Sequence, residues 1–218
     1  KVLLHDMKCI ETLARVDVLC VDKTGTITEN TMQVQDVIQT EEYDAGTMPP
    51  LSMMIGDFAA AMDRDNITMA AVKEHFQSSS GEKAVSKTGF SSATKYSSVT
   101  FKHGAYVLGA PEFVLREKYE DYAEKITEHA STGARVLVFG SYDGEIDGRP
   151  LTHGVTPLAF LLLANPVREA AEETFRYFAE QGVEVKVISG DNPVTVSRVA
   201  KQAGIVNADK YVDASELG

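Results

Sequence analysis

Basic residues are in short supply, with 21 Lys and Arg against 32 Asp and Glu and a formal net charge of −11. A nucleic-acid binder needs a basic face to neutralise phosphates, so this balance argues against that class. Cysteine is scarcer still: only Cys9 and Cys20 occur, and the five histidines are scattered without zinc-ligand spacing. Cys20 lies in an apolar run and is expected to be a buried free thiol, which fits a reducing compartment better than a disulfide scaffold. No run approaches the roughly 18 consecutive apolar residues of a membrane span. The longest, residues 157–164, is strand length. No signal peptide is recognisable, and the chain opens on Lys1 without a methionine, as a piece of something larger would. What is present is ordinary globular material: 218 residues, 44% apolar and 24% charged. That suffices for one large domain or two modest ones.

Two distant segments share one pattern. Val16 to Val21 is a mostly apolar run ending at Asp22, and Val183 to Ile188 is another ending at Ser189-Gly190-Asp191. Short β-branched runs between helices suit parallel strands of an α/β sheet. Before the second run, Val167, Ala171, Thr174, Phe175 and Phe178 recur at helical spacing. Asn165-Pro166 would open that helix and Gly182 close it. Asn192-Pro193 opens a further helix with an apolar face of Val196, Val199, Ala200 and Ala203, ended by Gly204. Gly-Asp at a strand's carboxyl end is where open α/β sheets bind ligands.

The middle reads differently. Residues 50–62 and 66–76 are predicted helices, and 84–90, 95–101, 105–108, 135–142 and 158–164 are predicted strands. A helix is expected from Ala110-Pro111 to about Ala130. Short turns at His103-Gly104, Asp143-Gly144 and Asp147-Gly148 imply an antiparallel sheet. The economical reading is an α+β domain, residues 32–164, inserted into an α/β domain formed by residues 1–31 and 165–218.

The strongest motif is Asp22-Lys23-Thr24-Gly25-Thr26. A carboxylate just past a strand's end is open to ligand yet held by the sheet, and turn N–H groups beside it suit a phosphate. A plain surface turn is the competing reading, and five specified positions in succession weigh against it. The motif resembles the phosphorylation signature of the P-type cation-transporting ATPases, members of the haloacid-dehalogenase-like superfamily. That resemblance implies a partial Rossmann-like phosphorylation domain carrying an inserted nucleotide-binding domain. It implies an Asp22 nucleophile that attacks the γ-phosphate of ATP, with Lys23 and Thr24 beside it. Magnesium would be held by Asp22 and the backbone carbonyl of Thr24, a small ligand set. Soluble phosphatases of the superfamily place a second aspartate where Thr24 stands, so threonine favours a long-lived acyl phosphate and a pump.

The resemblance extends along nearly the whole chain. Ser189-Gly190-Asp191 resembles the family's Thr-Gly-Asp beside the phosphate. Asn165-Pro166-Val167-Arg168 resembles its Asp-Pro-Pro-Arg hinge, which implies a nucleotide-phosphate contact for Arg168. Phe90-Ser91-Ser92-Ala93-Thr94-Lys95 resembles its adenine site, with Phe90 stacking on the base and Lys95 near the nucleotide. Without the family, a phenylalanine at position 90 is more often simple core. Leu108-Gly109-Ala110-Pro111-Glu112 resembles Lys-Gly-Ala-Pro-Glu with leucine for lysine, and Gly133-Ala134-Arg135 resembles a segment whose arginine contacts nucleotide. Asn66-Ile67-Thr68-Met69 stands where many members carry Asp-Pro-Thr-Glu, so an acidic adenine contact is missing. The implied partners are ATP, magnesium, a transported cation such as calcium or magnesium, and the membrane and actuator parts of the same pump. The implied place is the cytoplasmic face of the membrane. The family's second aspartate cluster does not occur, so this stretch alone is expected to turn over little ATP. A soluble phosphatase, or a nucleotide-binding module without chemistry of its own, are the alternatives.

Overall fold

The computed structural model describes residues 15–191 and 193–213, so Cys9 and the expected helix cap Asn192 lie outside the described residues. Two compact units are formed. One comprises Thr31–Asn165, and the other comprises the described residues up to Asn30 together with those from Pro166 onward.

The Thr31–Asn165 unit is built on a six-stranded antiparallel sheet. Its strands are β2 (Gln33–Gln39), β3 (Ser86–Thr88), β4 (Tyr96–Phe101), β5 (Gly104–Gly109), β6 (Arg135–Tyr142) and β7 (Thr156–Ala164). Their spatial order is β2-β7-β6-β5-β4-β3. Helices α1 (Leu51–Ala61) and α2 (Ile67–His75) cover one face, and α3 (Pro111–Val114) and α4 (Tyr119–Ser131) the other. With both faces covered, the central strands are buried throughout and read as apolar runs instead of alternating. Ile55, Phe58, Val72, Phe139 and Leu161 belong to the first core, and Tyr96, Val107, Leu115, Val138 and Phe160 to the second.

One strand of this unit, β2, is absent from the predicted elements, and two expectations need correction. Strand β2 carries no signal as strong as the others, because Gln33, Gln35, Asp36 and Gln39 face water and a bulge at Val34/Asp36 breaks its alternation. The strand expected over 84–90 shrinks to Ser86–Thr88 at the sheet edge. The long helix expected from Ala110 divides into α3, a 3₁₀ turn Arg116–Lys118 and α4, with Arg116 at φ 54° forcing the break.

In the other unit, β1 (Val18–Val21) pairs in parallel with β8 (Glu184–Val187), as the matched apolar runs predict. Helices α5 (Ala171–Glu180) and α6 (Pro193–Gln202) pack against it through Ala171, Phe175 and Ala200, around a fully buried Ile27. Helix α5 starts at Ala171 and not at Asn165-Pro166. Val167 instead bridges to Thr28 and the Arg168 N–H donates to the Ile27 carbonyl, so the segment is held extended. Asn165 falls in the first unit and donates to the Thr31 carbonyl at 2.6 Å. Cys20 is exposed, contrary to expectation, because β1 alternates and Cys20 points away from the helices with Val18. No described helix is long and apolar enough to cross a membrane.

One buried carboxylate ties a loop to the core. Asp57 on α1 accepts from the Ser79 hydroxyl at 2.6 Å, the Ser80 N–H at 2.7 Å and the Ser80 hydroxyl at 2.8 Å. Burial works to raise its pKa, and these hydrogen bonds together outweigh burial and hold it below the ordinary aspartate range. A lowered folded pKa stabilises above the unfolded value of about 3.9 and is lost as pH falls through the folded one. Asp57→Asn should therefore destabilise by about 1–3 kcal/mol at pH 7. Urea melts at pH 7 and pH 3 should show that gap closing in acid. In the neighbouring residue, Gly56→Ala would set a Cβ 1.7 Å from the Ser78 carbonyl oxygen. Backbone must then move, at about 3 kcal/mol, and a fall in Tm measures it.

Candidate functional site

Parallel pairing of β1 with β8 sends Asp22 and Ser189-Gly190-Asp191 out of the same end of the sheet. Val21 lies opposite Val187, and the Ile188 N–H donates to the Val21 carbonyl at 2.9 Å. Asp22 is exposed there, and its Oδ1 accepts from the Lys23 N–H at 2.7 Å. The loop turns at Gly25 (φ 76°) and closes where the Thr28 N–H reaches the Lys23 carbonyl at 3.1 Å. Ile27, with no exposed surface, pins the loop into the core below. Backbone and core thus fix Asp22 while leaving its free carboxylate oxygen in water.

Lys23 is buried, unlike the exposed Thr24 and Thr26 on either side of Gly25. Its Nζ forms an ion pair with the half-exposed Asp191 carboxylate. The Asp191 N–H donates to the Ser189 hydroxyl at 3.3 Å, and Gly190 leaves open space where a side chain would stand. Asp22, Lys23, Thr24, Ser189, Gly190 and Asp191 therefore converge in one place. Arg168 joins the same unit: its Nη2 donates to the Gly25 carbonyl at 2.7 Å, and Nη1 lies 3.7 Å from Glu29. It braces the loop. No group of three or more His, Cys, Asp or Glu suited to a metal occurs among the described residues. The Asp22 carboxylate and Thr24 carbonyl are hard oxygen donors of the type Mg²⁺ takes together with phosphate and water. Asp191 is engaged by Lys23.

The second constellation lies in the Thr31–Asn165 unit, in a cleft of about 480 Å³ lined by Ile67, Met69, Phe90, Lys95, Leu108, Gly109 and Arg135 among others. Five of the six residues expected at a nucleotide thus line one cavity. Phe90 is 48% exposed, which is unusual for a phenylalanine without a ligand and sets aside its reading as a core residue. Lys95 has a left-handed backbone (φ 57°), kept there by its N–H donating to Ser91 at 2.7 Å and its carbonyl accepting from Ala110 at 2.9 Å. Such strain clusters at functional positions. Gly109 permits this close approach: a Cβ would lie 2.7 Å from the Lys95 carbonyl and 2.6 Å from Tyr96 Cβ. Arg135 Nη1 donates to Thr68 Oγ1 at 3.2 Å, and Asn66 caps α2 by accepting from the Met69 N–H at 2.8 Å. Leu108 is 3% exposed and belongs to the core beneath the cleft, as does Met69. Reading the sequence missed Ser97 on the cleft wall and the hold of Thr68 on Arg135. Period-two counting along β4 from Val99 would have set Ser97 on the same face.

The haloacid dehalogenase-like hydrolase model matches residues 16–217, and the chain belongs to that family. It is 41% identical over 204 residues to the calcium-transporting ATPase CtpE of Mycolicibacterium smegmatis, covering 93% of this chain and 25% of that protein. It is 37% identical over 221 residues to the probable cation-transporting ATPase exp7 of Streptococcus pneumoniae, covering 100% of this chain and 28% of that protein. The chain thus spans about a quarter of the length of these curated relatives. A crystal structure of a zinc-transporting PIB-type ATPase shares the fold, with TM-score 0.67 at 20% identity over 90% of this chain and 29% of that one.

The loop that carries Asp22 yields a test. Nothing lies within 4 Å of a Cβ built on Gly25, so Gly25→Ala should suffer only from its positive φ. The expected cost is about 1–2 kcal/mol in unfolding free energy. Nucleotide affinity of the Phe90 cleft should not change in the same variant, and calorimetric titration checks that.

Proposed function

We propose that this chain is the nucleotide-binding and phosphorylated portion of an ATP-driven cation pump. The observation that carries the reading is the exposed Asp22 carboxylate, fixed at the carboxyl end of β1 beside Ser189-Gly190-Asp191 at the end of β8. ATP binds in the cleft with its base against Phe90 and its phosphates drawn by Lys95 and Arg135. An Asp22 carboxylate oxygen attacks the γ-phosphorus. A bond forms between them, the bond from that phosphorus to the bridging oxygen breaks, and ADP departs with the electron pair. The product is an aspartyl phosphate.

The surrounding groups serve this step. Lys23, desolvated and paired to Asp191, sets a fixed positive charge under the loop. Arg168 holds the Gly25 carbonyl, and so the shape of the turn. The Ser189 hydroxyl and the turn N–H groups offer hydrogen bonds to phosphate oxygens. Mg²⁺ bound by Asp22 and the Thr24 carbonyl would neutralise phosphate charge. Thr24 is no general base at neutral pH, so water is not activated at this position and the acyl phosphate persists. A soluble phosphatase would need that base. Cation transport, with calcium as the candidate, is supported by relatives bearing that description. The membrane portion and the cytoplasmic placement belong to the pump as a whole.

In the full-length pump, Asp22→Asn should abolish acid-stable phosphoenzyme formed from γ-labelled ATP, while titration shows ATP affinity within about two-fold of wild type. Label retained in the variant would sink the assignment. Phe90→Ala should weaken ATP binding by about 1–3 kcal/mol, the usual worth of stacking on one base. Leu108→Lys should tighten it while lowering Tm, because the lysine stem enters a 3% exposed position.

A further inference from the structure

Inside the cleft, polar side chains able to meet a nucleobase are few, and most are engaged. The Asn66 amide oxygen caps α2 at the Met69 N–H, and its nitrogen donates to Asp65 at 2.9 Å. The Thr68 hydroxyl accepts from Arg135 and lies 3.7 Å from the Met32 sulfur. Apart from the charged Lys95 and Glu112, Ser97 is the exception. It lines the cavity on β4, opposite Leu108 on β5, at 3% exposure. No hydrogen bond of its hydroxyl to another described residue is found. Among the described residues the sealed, unpartnered side-chain oxygen is Thr94 Oγ1 and not that of Ser97, so the Ser97 hydroxyl opens onto the cavity, where a ligand or water can satisfy it.

Resting on the nucleotide reading above, we propose that Ser97 is the base-contacting polar residue of this cleft and that the cleft accepts 6-amino and 6-oxo purine nucleotides alike. A hydroxyl both donates and accepts. It receives a hydrogen bond from the amino group of adenine, or, after rotating, gives one to the 6-oxo group of hypoxanthine. The neighbouring walls, Met69 and Leu108, offer no fixed donor or acceptor that would penalise either pattern. Strong discrimination comes from buried groups left unpaired by the wrong ligand, and one rotatable hydroxyl is never left unpaired by either base. Glu112 on the cleft wall is exposed, so water competes for its carboxylate and it adds little selectivity. Stacking on Phe90 is blind to the substituent.

The test is calorimetric titration of the chain with ATP and with inosine triphosphate at one fixed salt concentration. The two Kd values should agree within about three-fold. Ser97→Ala should weaken both by roughly five- to ten-fold and by the same factor, the scale of one hydrogen bond. Thermal melting confirms that the variant is folded. ATP binding that depends on Phe90 but exceeds inosine triphosphate by more than about thirty-fold would overturn the inference alone. So would equal binding left untouched by Ser97→Ala. Failure of both nucleotides to bind the wild-type chain would remove the nucleotide reading itself, and the inference with it.

Discussion

Parallel pairing of two four-residue strands is the constraint on which the candidate site depends. β1 and β8 lie far apart in sequence, and their pairing runs in register from Val18 opposite Glu184 to Val21 opposite Val187. Because the strands run the same way, their carboxyl ends coincide, so a carboxylate, a hydroxyl, a glycine and a second carboxylate emerge together. An antiparallel pair would have put Asp22 and Asp191 at opposite ends. Short strands hold this arrangement weakly by themselves. Ile27, Phe175, Ala200 and Ala203 supply the burial that keeps it.

Rigidity at Asp22 comes from backbone contacts, with one ion pair added. The Lys23 carbonyl takes the Thr28 N–H and the Gly25 carbonyl takes Arg168, so the loop is closed from two sides. Lys23, buried beneath, would be unfavourable as an unpaired cation, and Asp191 compensates it from the next loop. Thus the residue beside Asp22 joins two segments distant in sequence. A carboxylate so placed needs no further ordering to meet a ligand.

The cleft follows a different logic. Its floor and walls are ends of the antiparallel sheet, buried on both faces by separate hydrophobic cores. Gly109 lets the Lys95 backbone approach β5, and the Ser91 and Ala110 bonds hold Lys95 in a left-handed conformation that a lysine seldom adopts. Phe90 remains half exposed above it. An exposed aromatic and a strained cation over an apolar cavity are costs that a stability optimum would avoid. On the proposed nucleotide reading, a stacking ligand accounts for both.

Much of this was legible in the chain. Apolar runs ending in Asp22 and in Ser189-Gly190-Asp191 specify strand ends, because periodicity and turn chemistry are local properties. The same holds for most strands and helices of the middle segment. Where local signals conflict with long-range ones, the sequence misleads. Asn165-Pro166 has the chemistry of a helix start, yet pairing of Val167 with Thr28 holds it extended. Cys20 lies in an apolar run, yet strand alternation turns it away from the helices. Polar β2 becomes a strand because β7 offers it an edge. The sequence alone determined which residues carry charge, hydroxyl and ring. Only tertiary structure decided that Lys23 meets Asp191, that Arg168 braces Gly25 and that Ser97 stands unpartnered in a cavity with Phe90. The first two depend on side chains far apart in the chain, and the cavity on strands and loops from distant segments, whose distances no local pattern encodes.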